Sequence, residues 1–242
     1  SVNIIKQYKD SRIRFFRNEE NIPVYMNVNK AMSYANGEFI AVLHSDDVYD
    51  PKFLEEIVNA YNKYPDYKVF VTDLNLWHYE ENKLNRMKCY KSGGIKKSAE
   101  VLIRLSVQNN IGNFVNMVLH RECYRKVGTL SDKYKYSADY DLLLRMAEHY
   151  DFVYIPKPLA YYRIHKYNIT HDQRKNLNMF KEGIEIITQN LKNSCIVNEK
   201  LDELIDIRHK YMIHRAFFTG KYYKSGDLTR KELDLTRKLH PK

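Results

Sequence analysis

The sequence predicts an α/β fold with a mainly parallel central sheet and a helical C-terminal appendage. Three observations predict it. Short apolar runs, Phe39–Leu43, Val69–Val71 and Phe152–Ile155, alternate with segments of helical period. The first run is unbroken and bounded by Gly37 and polar residues, as in a strand buried on both faces in the middle of a parallel sheet. From Asn176 onward only helical period remains, with Leu177, Phe180, Ile184, Ile187 and Leu191 on one face and Leu201, Leu204, Ile205, Arg208, Tyr211 and Met212 on another.

The elements follow in order. Val2–Tyr8 reads as the tail of a helix. Arg12–Phe16 (RIRFF) alternates like a strand. Tyr25–Ala35 is helical through Val28, Ala31, Met32 and Ala35, and Asn36-Gly37 ends it. After the strand at Phe39–Leu43, Asp50 is an N-cap with Pro51 at the first helical position. The helix Lys52–Lys63 then carries Phe53, Leu54, Ile57, Val58 and Tyr61 on one face. Val69–Val71 is a buried strand ending in Thr72-Asp73, and Leu74–Arg86 is a hairpin-like excursion. Ser98–Leu105 is a short helix, and Arg121–Val127 a basic one closed by Gly128. Asp139 and Asp141 open a helix whose buried face is Leu142, Leu143, Met146 and Ala147. Thr229-Arg230-Lys231-Glu232 is a capping box for a last helix. The division expected is a first domain over 1–170 and a helical region over 171–242.

Composition sets the outer limits. A chain of 242 residues with 44% hydrophobic residues buries a full core. A net charge of +10 favours anionic partners: nucleotide diphosphates, acidic headgroups or nucleic acid. The three cysteines, Cys89, Cys123 and Cys195, lack metal-ligand spacing, which fits a reducing compartment better than a disulfide framework or zinc site. No apolar run approaches the ~20 residues of a membrane span.

The chemistry-bearing stretch is GEFIAVLHSDDVYDP, residues 37–51. Asp46 and Asp47 follow a strand, where open α/β sheets bind ligands. Paired hard oxygens suit Mg²⁺ or Mn²⁺, although on residue type alone a solvated turn fits equally well. Asp139 fits a helix cap as well as a site. His165 fits a surface loop as well as an anion contact. Asn113 and Asn116 fit packing better than sugar binding. Trp77 and the tyrosines fit core or surface better than sugar stacking.

Three stretches together resemble family 2 glycosyltransferases. They are GEFIAVLHSDDVYDP, VGTLSDKYKYSADYDLLLRM (residues 127–146) and PLAYYRIHKYNIT (residues 158–170). Their order and spacing make the signal specific, and it runs from about Ser1 to about Thr170. The resemblance implies a GT-A-like nucleotide-binding sandwich. It also implies inverting transfer of a sugar from a nucleotide-sugar to an acceptor hydroxyl with a divalent metal. By position it places Asp47 on the metal and Asp46 on the donor ribose and phosphate. Asp139 becomes the general base, with Arg163 and His165 near the diphosphate or acceptor. The chain departs from the pattern at His44 (commonly Asp), Ala138 (commonly Glu) and Pro23 (commonly Gly). The family's opening strand–helix–strand has no counterpart, so the domain is read as N-terminally incomplete.

The expected function is metal-assisted glycosyl transfer in cell-surface polysaccharide or glycolipid synthesis. The expected setting is cytoplasmic or peripheral at the inner face of the membrane. The basic C-terminal helices would dock to a membrane surface or to a partner subunit, including a second copy of the chain, and fit a helical cap that only completes the core at least as well. An inactive GT-A-like binding module and a sugar nucleotidyltransferase are the alternatives. Nucleic-acid binding is not expected, since charge alone suggests it and no nucleic-acid-binding motif accompanies it.

Overall fold

A computed structural model describes residues 2–111, 113–168, 178–197, 202–204, 206–208 and 210–211. The order is α1 (Val2–Ile5), α2 (Val24–Ser33), β1 (Phe39–Ala41), β2 (Val48–Tyr49), α3 (Phe53–Lys63), β3 (Val69–His78), β4 (Lys83–Met87), β5 (Gly94–Lys96) and α4 (Ser98–Val107). After the 3₁₀ turn Phe114–Asn116 come β6 (Met117–His120), α5 (Arg121–Val127), α6 (Ala138–Ala147), β7 (Phe152–Ile164) and α7 (Asn178–Lys192).

The α/β class is as the alternating pattern predicts. The sheet itself is mixed, with spatial order β1-β6-β3-β7-β2, β4 added on β3 and β5 on β7. Its centre is the parallel pairing of β3 with β7, and the other pairings are antiparallel. This corrects the expectation of a mainly parallel sheet. An apolar run reports burial and says nothing about the direction of its neighbour.

Side-chain alternation along β3 divides the core. Val69 and Val71 face a cluster containing Leu102 and Leu105 of α4 and Leu142 and Met146 of α6; Ile187 and Leu191 of α7 share it. Phe70 and Leu74 face the other side, where Phe53 and Ile57 of α3 pack with Val153 and Ile155.

Other local expectations change. β1 lies at the sheet edge, and only Phe39 and Ile40 of its run are half-buried within the strand, while Ala41 is exposed. Residues 12–16 form no strand. Ile13, Phe15 and Phe16 are exposed, Phe16 stacking on Tyr34 at 4.1 Å. Alternation there has no neighbouring strand to satisfy its backbone. Helix α3 starts one residue late at Phe53, with the Asp50 carboxylate accepting from the Lys52 N–H at 2.9 Å. Leu54 and Val58 are exposed on it. The expected boundary at Thr170 and the capping box at Thr229 lie outside the described residues.

The sheet centre contains a buried charge. Register shifts flank Asp73, so that Thr72 pairs Ile155 and Asp73 pairs Pro158. Proline has no N–H for the ladder, and β7 steps past Pro156 and Lys157 as a bulge. The Asp73 carboxylate is fully buried and accepts four donors: Arg86 Nε at 2.9 Å and a terminal nitrogen at 2.5 Å, the Cys89 N–H at 3.0 Å, and the Tyr154 hydroxyl. Arg86 also donates to the Pro156 carbonyl at 2.8 Å. Removing one partner of such a cluster strands the others. Asp73→Ala is expected to lower stability by about 3–5 kcal/mol in denaturant unfolding. A loss below ~1 kcal/mol would show that the cluster does not hold the bulge.

Candidate active site

The acidic loop is stitched to β7. It leaves β1 at Ala41, turns through an Asp47 N–H to His44 carbonyl bond of 3.2 Å, and joins β7 by pairing Val48 with Tyr161 and Tyr49 with Ala160. The Asp50 N–H donates to the Leu159 carbonyl at 2.8 Å, and the Tyr49 hydroxyl donates to the Val42 carbonyl at 3.2 Å. The loop is therefore held at both ends.

The two carboxylates have different surroundings. The side chain of Asp47 is only 1% exposed. Its Oδ1 accepts the Arg163 backbone N–H at 3.0 Å, and its Oδ2 faces His44 Nδ1 at 3.3 Å. Asp46 is 39% exposed. Its Oδ2 meets His165 Nε2 at 3.2 Å and Asn168 Nδ2 at 3.4 Å. Its Oδ1 accepts nothing from the described residues. His165 Nδ1 accepts the Tyr167 N–H at 3.2 Å, so in the neutral ring the proton sits on Nε2, toward Asp46. Asn168 steadies this turn through its carboxamide oxygen on the His165 N–H at 2.5 Å.

Asp139 enters from α6. Its Oδ1 accepts the Tyr140 N–H at 2.8 Å and the Tyr25 hydroxyl at 3.4 Å. Burial pushes the carboxyl above the ordinary carboxylate range; the Tyr140 N–H, the charge of His44 and the Tyr25 hydroxyl oppose this. His44 is shifted upward, first by its bond to Asp47 and then, against burial, by the charges of Asp47, Asp46 and Asp139. Its ring thus lies within electrostatic reach of the three acids. The neighbouring Asp141 faces elsewhere, gripping Arg145 at 2.8–2.9 Å.

The sequence-predicted residues accordingly form one neighbourhood: Asp46, Asp47 and His165 by direct bonds, Arg163 through its backbone, and Asp139 through His44. Sequence reasoning treated His44 only as a departure from a pattern, and it missed Tyr25 and Asn168. The three-residue spacings His44–Asp47 and His165–Asn168 were the available signal; Tyr25 gave none. A cavity of about 690 Å³ beside α2 and α6 is lined by Asn29, Leu130, Tyr134, Asp141 and Arg145, and the acidic cluster lies outside it. Asn116 is packing, as expected. It is buried, with Nδ2 on the carbonyls of Thr72 and Ile111.

Residues 1–126 match the family model described as Glycosyl transferase family 2. The chain belongs to that family. It is 32% identical over 166 residues to an uncharacterized glycosyltransferase of Methanocaldococcus jannaschii, covering 66% of this chain and 54% of that one. It is 22% identical over 165 residues to an uncharacterized glycosyltransferase of Haemophilus influenzae, covering 67% and 54%. The chain thus spans about half the length of these two curated relatives. Among solved structures, Staphylococcus aureus TarS 1–349 in complex with UDP-GlcNAc aligns with a TM-score of 0.67 at 12% identity, over 97% of this chain and 66% of that one. TarS 1–349 without that ligand aligns at 0.63, over 91% and 60%. The fold is the GT-A-like sandwich of these transferases. No described helix is long and apolar enough to cross a membrane.

The raised Asp139 carboxyl has a signed consequence. The unfolded group ionises near the ordinary aspartate value of 3.8, below the folded one. Ionised Asp139 therefore costs folding free energy, increasingly so as pH rises from that value through the folded pKa, and constantly above it. Asparagine can still accept from Tyr140 and Tyr25 without carrying charge. Asp139→Asn is expected to match wild type at acid pH and to exceed it in stability at neutral pH, measured by urea unfolding across pH. A neutral-pH loss would make Asp139 a structural cap.

Proposed function

We propose that the chain is the donor-binding and catalytic part of an inverting glycosyltransferase. It moves a sugar from a nucleotide-sugar to the hydroxyl of a glycan or glycolipid acceptor, in cell-surface polysaccharide or glycolipid synthesis. The observation that carries this reading is the gathering of three carboxylates with three different environments around His44. Family membership supplies the reaction class. The likeness to a UDP-GlcNAc complex makes a uridine nucleotide the first donor to try. Work at the inner face of the membrane and assembly into homo-oligomers belong to the same proposal.

Asp139 is the base in this reading. A desolvated carboxyl with a raised pKa accepts a proton from an attacking hydroxyl better than an ordinary surface carboxylate does. Its two hydrogen bonds, both on Oδ1, fix the carboxylate during attack. One displacement on the anomeric carbon then inverts it, and the nucleoside diphosphate leaves.

The residues fit a divalent cation, Mg²⁺ or Mn²⁺, of limited protein coordination. No group of three or more His, Cys, Asp or Glu among the described residues could cage one. Such ions commonly take one or two carboxylates plus substrate phosphates. Asp46, with an open Oδ1, is the carboxylate that fits; enclosed Asp47, with both oxygens engaged, fits a supporting role. That division reverses the one expected from the motif. When bound, the cation neutralises charge growing on the leaving diphosphate. His165 fixes the orientation of the Asp46 carboxylate and presents its Nε2 proton beside it. Asp47 and His44 keep the loop closed on β7.

Donor turnover and acceptor transfer by the full chain test the reading. Asp139→Asn is expected to fold and to bind UDP normally, with turnover down by ~10²–10⁴-fold. Wild-type turnover in that variant places the base elsewhere.

Calorimetry of UDP with and without Mn²⁺ separates the acid pair. Asp46→Asn is expected to lose the metal-dependent gain in affinity, and Asp47→Asn to retain part of it. The reverse pattern returns the cation to Asp47.

A further inference from the structure

Arg163 has a side chain that the backbone contact to Asp47 does not use. β3 and β7 run parallel to their ends, pairing Trp77 with Arg163. The period of a strand puts Tyr79 on the same side as Trp77. The guanidinium carbon lies 4.8 Å from the Trp77 ring centroid and 5.2 Å from that of Tyr79. The two rings meet edge-to-face at 5.4 Å and 68°. The Arg163 side chain makes no hydrogen bond or ion pair with the described residues, and its Nε is shut away from solvent without a partner. Arg86 and Arg145, by contrast, each grip a carboxylate.

A half-buried guanidinium without an anion is costly unless something compensates. Aromatic faces compensate in part through their quadrupole. They do so without using its N–H donors, so the terminal nitrogens, which bond none of the described residues, remain available to an oxyanion. The backbone of the same residue holds Asp47, and His165 on Asp46 is two residues away. The residue that carries these free donors thus also anchors the acidic loop through its backbone.

We infer that Trp77 and Tyr79 are positioning residues that hold Arg163 as the receptor for a phosphate group. That phosphate arrives either in the diphosphate of a nucleotide or on an acceptor. The first source rests on the transferase reading; the anion receptor itself does not.

Trp77 is the single tryptophan of the chain, so its emission reports on the cluster. The experiment titrates the full chain with UDP, pyrophosphate and inorganic phosphate, following Trp77 emission and calorimetric affinity. Wild type is compared with Arg163→Ala, Arg163→Lys, Trp77→Leu and Tyr79→Leu, each checked for an unchanged melting temperature. Arg163→Ala is expected to weaken UDP and pyrophosphate by ~10- to 100-fold and to abolish the emission change. Trp77→Leu and Tyr79→Leu are expected to weaken them by ~3- to 10-fold with the arginine present, and by less than ~2-fold in the Arg163→Ala background. That loss of effect is what a positioning role requires and what a merely structural one would not show.

If UDP ignores Arg163 while inorganic phosphate depends on it, the receptor stands and serves an acceptor phosphate. If pyrophosphate depends on Arg163 but no nucleoside diphosphate binds, the receptor stands and the transferase reading falls. Equal losses from Trp77→Leu in both backgrounds overturn the positioning role. Affinities for all three anions that ignore Arg163, or no binding of any of them by wild type, overturn the inference.

Discussion

The buried carboxylate of Asp73 sets the register of the distal half of β7, and the candidate site hangs from that half. Before the bulge, β3 and β7 pair through the apolar core from Val69 to Thr72. Past it they pair again from Leu74 to His78, displaced by three residues, because Pro156, Lys157 and Leu159 have no partner on β3. A one-residue slip in a strand exchanges its two faces. Without a fixed bulge, Tyr161 would not meet Val48, the Arg163 N–H would not meet Asp47, and Trp77 would not sit beside Arg163. The four donors on Asp73 compensate its burial and so make the irregular register the stable one. Specificity of register is the best use of this buried charge, since an apolar substitute would offer packing without a unique pairing.

The acids of the site illustrate how one neighbourhood separates the behaviour of like groups. Asp46 keeps an oxygen open to solvent. Asp47 is enclosed but fully bonded. Asp139 is desolvated with both of its bonds on one oxygen, and its pKa moves upward. Like charges gathered around one ring disfavour one another's ionised forms. His44 offsets part of that repulsion because its ring gains protonation from all three. A histidine where the family pattern commonly has an aspartate is therefore electrostatically consistent: the acids around it favour its protonated form.

Much of this was legible in the sequence because it is local. The helices α2, α4, α5 and α6 follow from periodicity and from their terminal residues, as Gly128 shows with its φ of 82° behind α5. The three motif stretches brought the acidic loop, Asp139 and His165 together by resemblance. What was not legible is non-local. Phe39–Leu43 is apolar enough for a central strand, yet β1 pairs only with β6 at an edge. Arg12–Phe16 alternates correctly but finds no strand to pair with. The passage of β7 through Pro156 and Pro158 reads as a break until Arg86, held on the Asp73 carboxylate, and Asn75 are seen to donate to the Pro156 and Pro158 carbonyls. The division of labour between Asp46 and Asp47 was likewise invisible, because adjacent residues of one type are told apart only by which carboxylate the β7 backbone closes over.

That closure has a consequence for reading substitutions on β7. Arg163 contributes its backbone N–H to Asp47 and its guanidinium to the ring cluster, and these are independent of each other. Any residue except proline retains the N–H, so truncating the side chain leaves the acidic loop anchored. The side chain in turn is held by β3, across the sheet from the loop it would serve. The loop anchor and the guanidinium thus meet on one strand but are stabilised by different neighbours. This arrangement lets side-chain variants at 163 be interpreted as loss of a cation rather than as loss of the loop. Removing Asp47 does the opposite: it leaves the Arg163 N–H without its acceptor while the guanidinium remains clasped by Trp77 and Tyr79. The two sides of the donor neighbourhood can therefore be perturbed separately, although a single residue joins them.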